Sequence, residues 1–331
     1  MTSSKLAAVA ESDGCASPSA PGAGARVFWT TRSDITPLRY PGGKRKLGPF
    51  IADLIQKDGG RPKLIAEPFA GGAAVSISLL EAGYAEEILL NDMDELVSAF
   101  WRIVFSSEGE ALADMVEAAD VSVGEWYRMK KLRPETTMEA AFKCLFLNRT
   151  SFSGSLHNEA GPMGGRRQAK GDLIGSRFNR EKIALRIRQL ASIRDRIRSV
   201  TCGHYAEAMA SYDSKDAFWY LDPPFFAKAD RLYRHHFDAA AHKALALNIA
   251  RLQGRWLLSY DDHTDARSIY GEHPGFARIG LQYTAAVGEA RQQKGEIVVS
   301  DIIARLRDAS NDIGVEIEIP RRSVQAAKGA V

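Results

Sequence analysis

The densest chemistry in the chain is Asp222-Pro223-Pro224-Phe225, directly after the apolar run Phe218-Trp219-Tyr220-Leu221. That run reads as a buried strand, so Asp222 sits where open α/β sheets place their ligands, beyond the carboxyl ends of the strands. The two prolines fix φ and remove two backbone donors, which leaves the neighbouring carbonyls as acceptors beside the carboxylate. Phe225 adds a flat apolar face. Acceptors beside a ring suit a planar ligand with an exocyclic NH2, such as a nucleobase turned out of its stack. Taken alone, an acid before two prolines at a strand end also reads as a plain turn.

The elements that must position the tetrapeptide begin far upstream. A strand predicted over 63–66 runs into Glu67-Pro68-Phe69-Ala70-Gly71-Gly72, a helix over 73–82 and a strand over 87–90 ending at Asn91-Asp92. Strand, glycine turn, helix and strand make a βαβ unit, with parallel strands and a right-handed crossover. Glycines in the first turn let a ligand approach the backbone, and an acid about 20 residues on commonly takes ribose hydroxyls. Asp92 is that acid. The pattern points to an adenosine-containing cofactor without choosing among them, and the turn departs from the Gly-x-Gly-x-x-Gly of dinucleotide sites. Before this unit, Pro41-Gly42-Gly43 forces a tight turn ahead of a helix over 47–56, whose free N–H groups come close to Lys44.

Residues 98–198 interrupt the alternation. Helical patterns cover 97–105, 111–118, 138–148 and 181–198, and the glycine-rich polar stretch 150–180 reads as an extended hairpin with loops. Alternation resumes with strands over 199–202, 217–221 and 255–259 and helices over 205–210 and 239–252. Two last strands, over 277–283 and 295–299, are joined so briefly that they must be antiparallel neighbours. The expected organisation is an Ala-, Ser-, Gly- and Pro-rich disordered tail (1–34), a catalytic α/β domain (35–97 and 199–310), an inserted, mainly helical recognition domain (98–198) and a C-terminal tail (311–331).

Charge is segregated. Between residues 85 and 120 ten acids face one base, Arg102, whereas between 166 and 198 eleven bases face three acids. The basic run, with Arg166, Arg167, Lys170, Arg177 and Arg180 at its start, is a candidate phosphate-backbone surface; a solvated helix face explains it equally well. No apolar run approaches the ~18 residues that span a bilayer. Cys15, Cys144 and Cys202 form no close pair, so a reduced, cytoplasmic protein is expected. His235 and His236 resemble a metal pair, but adjacent side chains on an extended chain point apart and no acid cluster joins them, so no metal is expected.

Together the motifs resemble the Dam-type DNA adenine-N6 methyltransferases, the D12 class. The matching pieces are RYPGGK (39–44), EPFAGGAAV (67–75), LND (90–92), FLNRTSFSG (146–154), DPPF (222–225), LLSYDDH (257–263) and GEIVVSD (295–301). All stand in the family's order, with the recognition domain inserted before DPPF. The resemblance implies a seven-stranded Rossmann-like sheet, S-adenosylmethionine as cofactor and double-stranded DNA as partner, with a monomer expected. It assigns Tyr40, Lys44, Glu67, Phe69, Gly71, Asp92 and Asp222 to the cofactor and active site. Asp222 and the Pro223 carbonyl would accept from N6–H, Phe225 would stack on the flipped base, and Pro224 would support the turn.

Residue by residue, plainer readings stand beside these: Tyr40 and Phe69 as core aromatics, Lys44 as a surface charge. Phe225 replaces the family's commoner tyrosine. Residues 164–180 match the family only loosely, so the DNA-contact expectations for Arg166, Arg167, Lys170, Arg177 and Arg180 transfer least, and Asn148, Arg149 and Ser151 serve either a phosphate or the loop itself. The alternatives are a cytosine-N4 or RNA methyltransferase on the same fold, or a catalytically silent DNA-binding module.

Overall fold

Most of the strand segments are short, rich in β-branched and aromatic residues and apolar at nearly every position, as strands covered on both faces must be. The computed structural model describes residues 35–39, 44–168, 173–226, 237–281 and 294–309. The chain opens with α1 (Gly48–Lys57), β1 (Leu64–Glu67), α2 (Ala74–Glu81) and β2 (Glu87–Asp92). Five helices follow: α3 (Glu95–Val104), α4 (Gly109–Glu117), α5 (Val123–Lys131), α6 (Thr137–Thr150) and α7 (Arg180–Ala191). Then come β3 (Ile197–Cys202), α8 (Tyr205–Tyr212), β4 (Ala217–Leu221), α9 (Ala239–Ile249) and β5 (Arg255–Asp261). The described part ends with α10 (Thr264–Tyr270), β6 (Phe276–Leu281), β7 (Lys294–Ser300) and α11 (Asp301–Ala309).

The strands form one seven-stranded sheet in the order β3-β2-β1-β4-β5-β7-β6. All neighbours are parallel except β7, which runs against both β5 and β6. β4 lies at the centre, buried at every residue. Its period of two sends Phe218 and Tyr220 into one hydrophobic layer with α1, α2, α3, α6 and α7, and Trp219 and Leu221 into the other, with α8, α9 and α10. The helices between β2 and β3 thus bury Phe100, Trp101, Phe146 and Ile187 in the same layer as the sheet. The boundary expected between residues 97 and 98 falls inside α3. None of the described helices is long and apolar enough to cross a membrane.

Three sequence expectations change. The helix expected over 181–198 stops at Ala191, and from Ile197 the chain is an edge strand paired with β2. The hairpin expected over 150–180 reduces, among the described residues, to one isolated bridge between Ser151 and Pro162 with short 3-10 turns, because glycines and Pro162 break any alternation. α5 has no counterpart in the expectations, although Ser122 and Glu125 carry the spacing of a capping box and the Ser122 hydroxyl accepts the Glu125 amide at 3.1 Å.

The two charged runs meet each other. Glu110, Asp114 and Glu117 line one face of α4, and Arg188 of α7 reaches all three at 2.5, 2.6 and 2.7 Å. Arg198 pairs with Glu87 at 2.9 Å, Arg186 with Glu81 at 2.7 Å, and Arg196 donates to the Ala85 carbonyl at 2.7 Å. Arg186, Arg188, Arg196 and Arg198 of the basic run therefore have partners within the fold.

Candidate active site

Asp222 follows β4 directly, between the carboxyl ends of β1 and β5. Its Oδ1 accepts from the Ser259 hydroxyl at 3.0 Å and lies 3.6 Å from the Lys44 ammonium. Ser259, wholly buried on β5, is itself 3.1 Å from the Tyr220 hydroxyl. Lys44 lies 3.0 Å from Glu296 of β7 and 4.7 Å above the centre of the Phe225 ring. Burial lifts the Asp222 pKa, while Lys44 and Ser259 pull it back. Burial works against the Lys44 charge too, but Asp222 and Glu296 outweigh it and its pKa ends up raised. The site thus holds a buried cation between two carboxylates, each partly desolvated.

The turn beyond Asp222 is braced from below. Pro223 is buried, and the Phe226 ring stacks on His242 with centroids 3.6 Å apart and lies parallel to His263 at 5.6 Å. His242 Nδ1 is 2.8 Å from the Tyr260 hydroxyl, and burial pushes its pKa down to about 4, which keeps the ring neutral.

The second half of the site is the turn after β1. Gly71 adopts φ 43°, a left-handed conformation that glycine accepts without strain. Its amide donates to Asp92 Oδ2 at 2.8 Å, and its carbonyl accepts from the Trp101 indole at 2.9 Å. Asp92 Oδ1 takes the Asp94 amide at 2.8 Å, so the carboxylate expected to meet a ribose also fixes the turn. Asn91 ties the same turn to β3, donating to the Pro68 and Gly203 carbonyls at 3.0 and 3.1 Å. Phe69 is half-buried against Tyr205, with ring centroids 5.3 Å apart. Glu67 is buried, and its Oε2 accepts the Ser76 amide in the first turn of α2 at 3.2 Å.

Desolvation raises the Glu67 pKa to about 8 and that of Asp92 to about 7; Asp222 and Asp92 both add to the rise at Glu67. In the folded chain Glu67 keeps its proton to about pH 8, whereas an unfolded glutamate loses it near ~4.3. Between those values the folded state binds more protons, so stability falls as pH rises through the window. Thermal melts from about pH 5 to about pH 8 should show that decline, and Glu67→Gln, neutral throughout, should flatten it.

Tyr40 and Lys170 lie outside the described residues, as do His235 and His236. Lys44, Asp222 and Phe225 come together, and Glu67, Gly71 and Asp92 form the adjoining turn. Arg149 turns inward: its Nε donates to the Pro37 carbonyl at 2.5 Å and its Nη atoms reach the Thr36 and Arg177 carbonyls at 3.4 Å. The guanidinium thus braces backbone carbonyls, the second of the two roles expected for it. Asn148 accepts the Arg39 amide at 2.7 Å and donates to the Arg39 and Gly154 carbonyls at 2.8 and 2.9 Å. Arg166, Arg167, Arg177 and Arg180 are exposed, although Arg180 Nε donates to the Ala119 carbonyl at 2.8 Å. Arg166 lies over the Tyr127 ring at 5.8 Å, on the rim of a pocket of about 450 Å³ that also contains Lys130 and Lys131. Neither Ser259 nor Glu296 emerges from the sequence as a functional residue. The available signal was a polar side chain inside an apolar strand, which is buried only where it has a partner.

The strand order, with β7 reversed between β5 and the edge strand β6, is that of a Rossmann-like S-adenosylmethionine-dependent methyltransferase. The family model described as D12 class N6 adenine-specific DNA methyltransferase matches residues 40–287, and the chain belongs to that family. It is 24% identical over 119 residues to the type II methyltransferase M.CviBI of Paramecium bursaria Chlorella virus NC1A, a match covering 36% of this chain and 44% of that one. To the type II methyltransferase M.MjaIII of Methanocaldococcus jannaschii it is 22% identical over 206 residues, covering 57% of this chain and 68% of that one. The match thus spans less than half the length of the first relative. Among solved structures, the rRNA methyltransferase aviRa from Streptomyces viridochromogenes aligns with a TM-score of 0.37 at 12% identity, over 86% of this chain and 93% of that one. The putative RNA methyltransferase PH1948 from Pyrococcus horikoshii aligns with a TM-score of 0.36 at 10% identity, over 80% and 84%. These scores are low, and the strand order itself defines the fold.

Proposed function

We propose that the chain transfers a methyl group from S-adenosylmethionine to N6 of an adenine flipped out of double-stranded DNA. The observation that carries this reading is the Asp222 carboxylate, held by Ser259 and Lys44 beside the Phe225 ring at the end of the central strand. Burial holds the Glu67, Asp92 and Asp222 carboxyls above the ordinary carboxylate range, and a cofactor carrying a sulfonium and an ammonium group beside them would favour their ionised forms. Gly71 lets that cofactor approach the backbone, Phe69 lines the turn, and the free lone pairs of Asp92 suit ribose hydroxyls. When bound, S-adenosylmethionine supplies a methyl group on a positively charged sulfur.

The protein's part is to make a poor nucleophile competent. The N6 lone pair of adenine is delocalised into the ring. An N6–H bonded to Asp222 and to the Pro223 carbonyl favours a more tetrahedral nitrogen and stabilises the positive charge that develops on it. Phe225 stacks on the base and fixes its plane, so that alignment does much of the rest. A carboxylate whose pKa is already lifted by burial is a competent acceptor for the proton that N6 sheds. Modification-sensitive long-read sequencing of DNA from cells expressing the protein tests the reading directly. N6-methyladenine at a defined site is expected; N4-methylcytosine or unmodified DNA would each refute it.

The DNA interface is tested by salt. Arg166 and Arg167 are exposed, whereas Arg188 is engaged by three acids. Changing Arg166 and Arg167 together to Ala should weaken DNA binding and lower the slope of log K against log salt by about one to two. Arg188→Ala should leave that slope unchanged while lowering the melting temperature. Fluorescence anisotropy over a salt series reads both.

A further inference from the structure

Glu296 sits on β7, opposite Asp261 of β5 and Ile279 of β6, so its backbone is fixed on both sides by antiparallel pairing. Its side chain is buried, with Oε2 directed at the ammonium of Lys44, whose side chain is wholly buried. The ammonium is closer to Glu296, at 3.0 Å, than to Asp222, at 3.6 Å. It also stands 4.7 Å from the centre of the Phe225 ring. Two demands therefore conflict at Lys44. Its charge favours the ionised form of Asp222 against burial, but an ammonium drawn fully onto Asp222 would occupy the acceptor oxygen.

We propose that Glu296 is a positioning residue for methyl transfer: it anchors the Lys44 ammonium so that Lys44 supports Asp222 without saturating the oxygen that accepts from N6–H. The inference rests on the reading of Asp222 and Phe225 as the pair that holds the base. Without the Glu296 charge, the attraction between Lys44 and Asp222 has no competitor on β7. The ammonium then moves onto the carboxylate, and the acceptor strength needed by N6–H falls. Glu296 therefore acts through Lys44, and its effect should vanish when Lys44 is uncharged.

A double-mutant cycle tests this, using the full chain and a duplex containing the site methylated by the wild type. Glu296→Gln should lower kcat by about 10- to 100-fold, while S-adenosylmethionine affinity by calorimetry changes less than about threefold. Glu296→Asp should recover part of the loss. With Lys44→Met already present, adding Glu296→Gln should change single-turnover rate by less than about threefold. Equal fold-losses in the two backgrounds, or unchanged kcat in Glu296→Gln, would overturn the proposal. Should Glu296→Gln not fold, the same cycle with Glu296→Asp decides by the same criterion. A wild type that methylates nothing refutes the functional reading, whereas additive losses in an active wild type refute only the role of Glu296.

Discussion

Asp222→Ala should lower methyl transfer by at least about a thousandfold while the protein stays folded. The size follows from what is removed. Deleting a single preorganised hydrogen-bonding group in an oxyanion hole costs about 10² to 10³, and here the lost carboxylate also carries the charge that faces the developing cation. The fold tolerates the change because Lys44 keeps Glu296 at 3.0 Å and Ser259 keeps Tyr220 at 3.1 Å. Asp222→Asn separates charge from shape: it retains an oxygen for Ser259 but offers N6 a weaker, neutral acceptor. Its rate should fall between those of the wild type and the alanine variant. Single-turnover transfer of labelled methyl, with cofactor affinity measured in parallel, gives both quantities. A rate within tenfold of the wild type in Asp222→Ala would remove Asp222 from the chemistry.

What the sequence could show depended on how local each feature was. The parallel core was legible because β1, β2, β4 and β5 carry their own signals, apolar runs ending in a glycine turn or an acid. The site residues supplied by family motifs also came together, since Lys44, Asp222 and Phe225 stand within contact distance. Glu296 stayed hidden because its partner Lys44 is about 250 residues away in the chain and no local pattern links them. Arg188 is the opposite case: a basic run reads as a ligand surface or as a solvated face, and only the fold places three α4 acids against this member of it. β3 was read partly as helix because 181–198 has apolar residues at helical spacing to its end, and only the β2 edge draws Ile197 into a strand.

Gly154→Ala should be among the most damaging single changes outside the active site. Gly154 adopts φ 74°, and a Cβ there would fall on the Arg39 carbonyl oxygen, a backbone atom with little room to move. That carbonyl and the Gly154 carbonyl are both held by the Asn148 side-chain amide, at 2.8 and 2.9 Å, so the clash also strains a buried three-way junction. Left-handed backbone at a residue with a side chain costs about 1–3 kcal/mol, and displacing Arg39 adds to it. A total near 3 kcal/mol corresponds to a fall in Tm of roughly 5–10 °C. Activity should fall with stability, since Arg39 lies five residues before Lys44 and begins the segment that delivers its ammonium to Asp222. Gly161→Ala, in the same loop but with open space around its Cβ position, should change neither. Calorimetric melts and methyl-transfer rates of the two variants give the comparison, and equal Tm values would show that the Arg39 backbone yields to the added methyl.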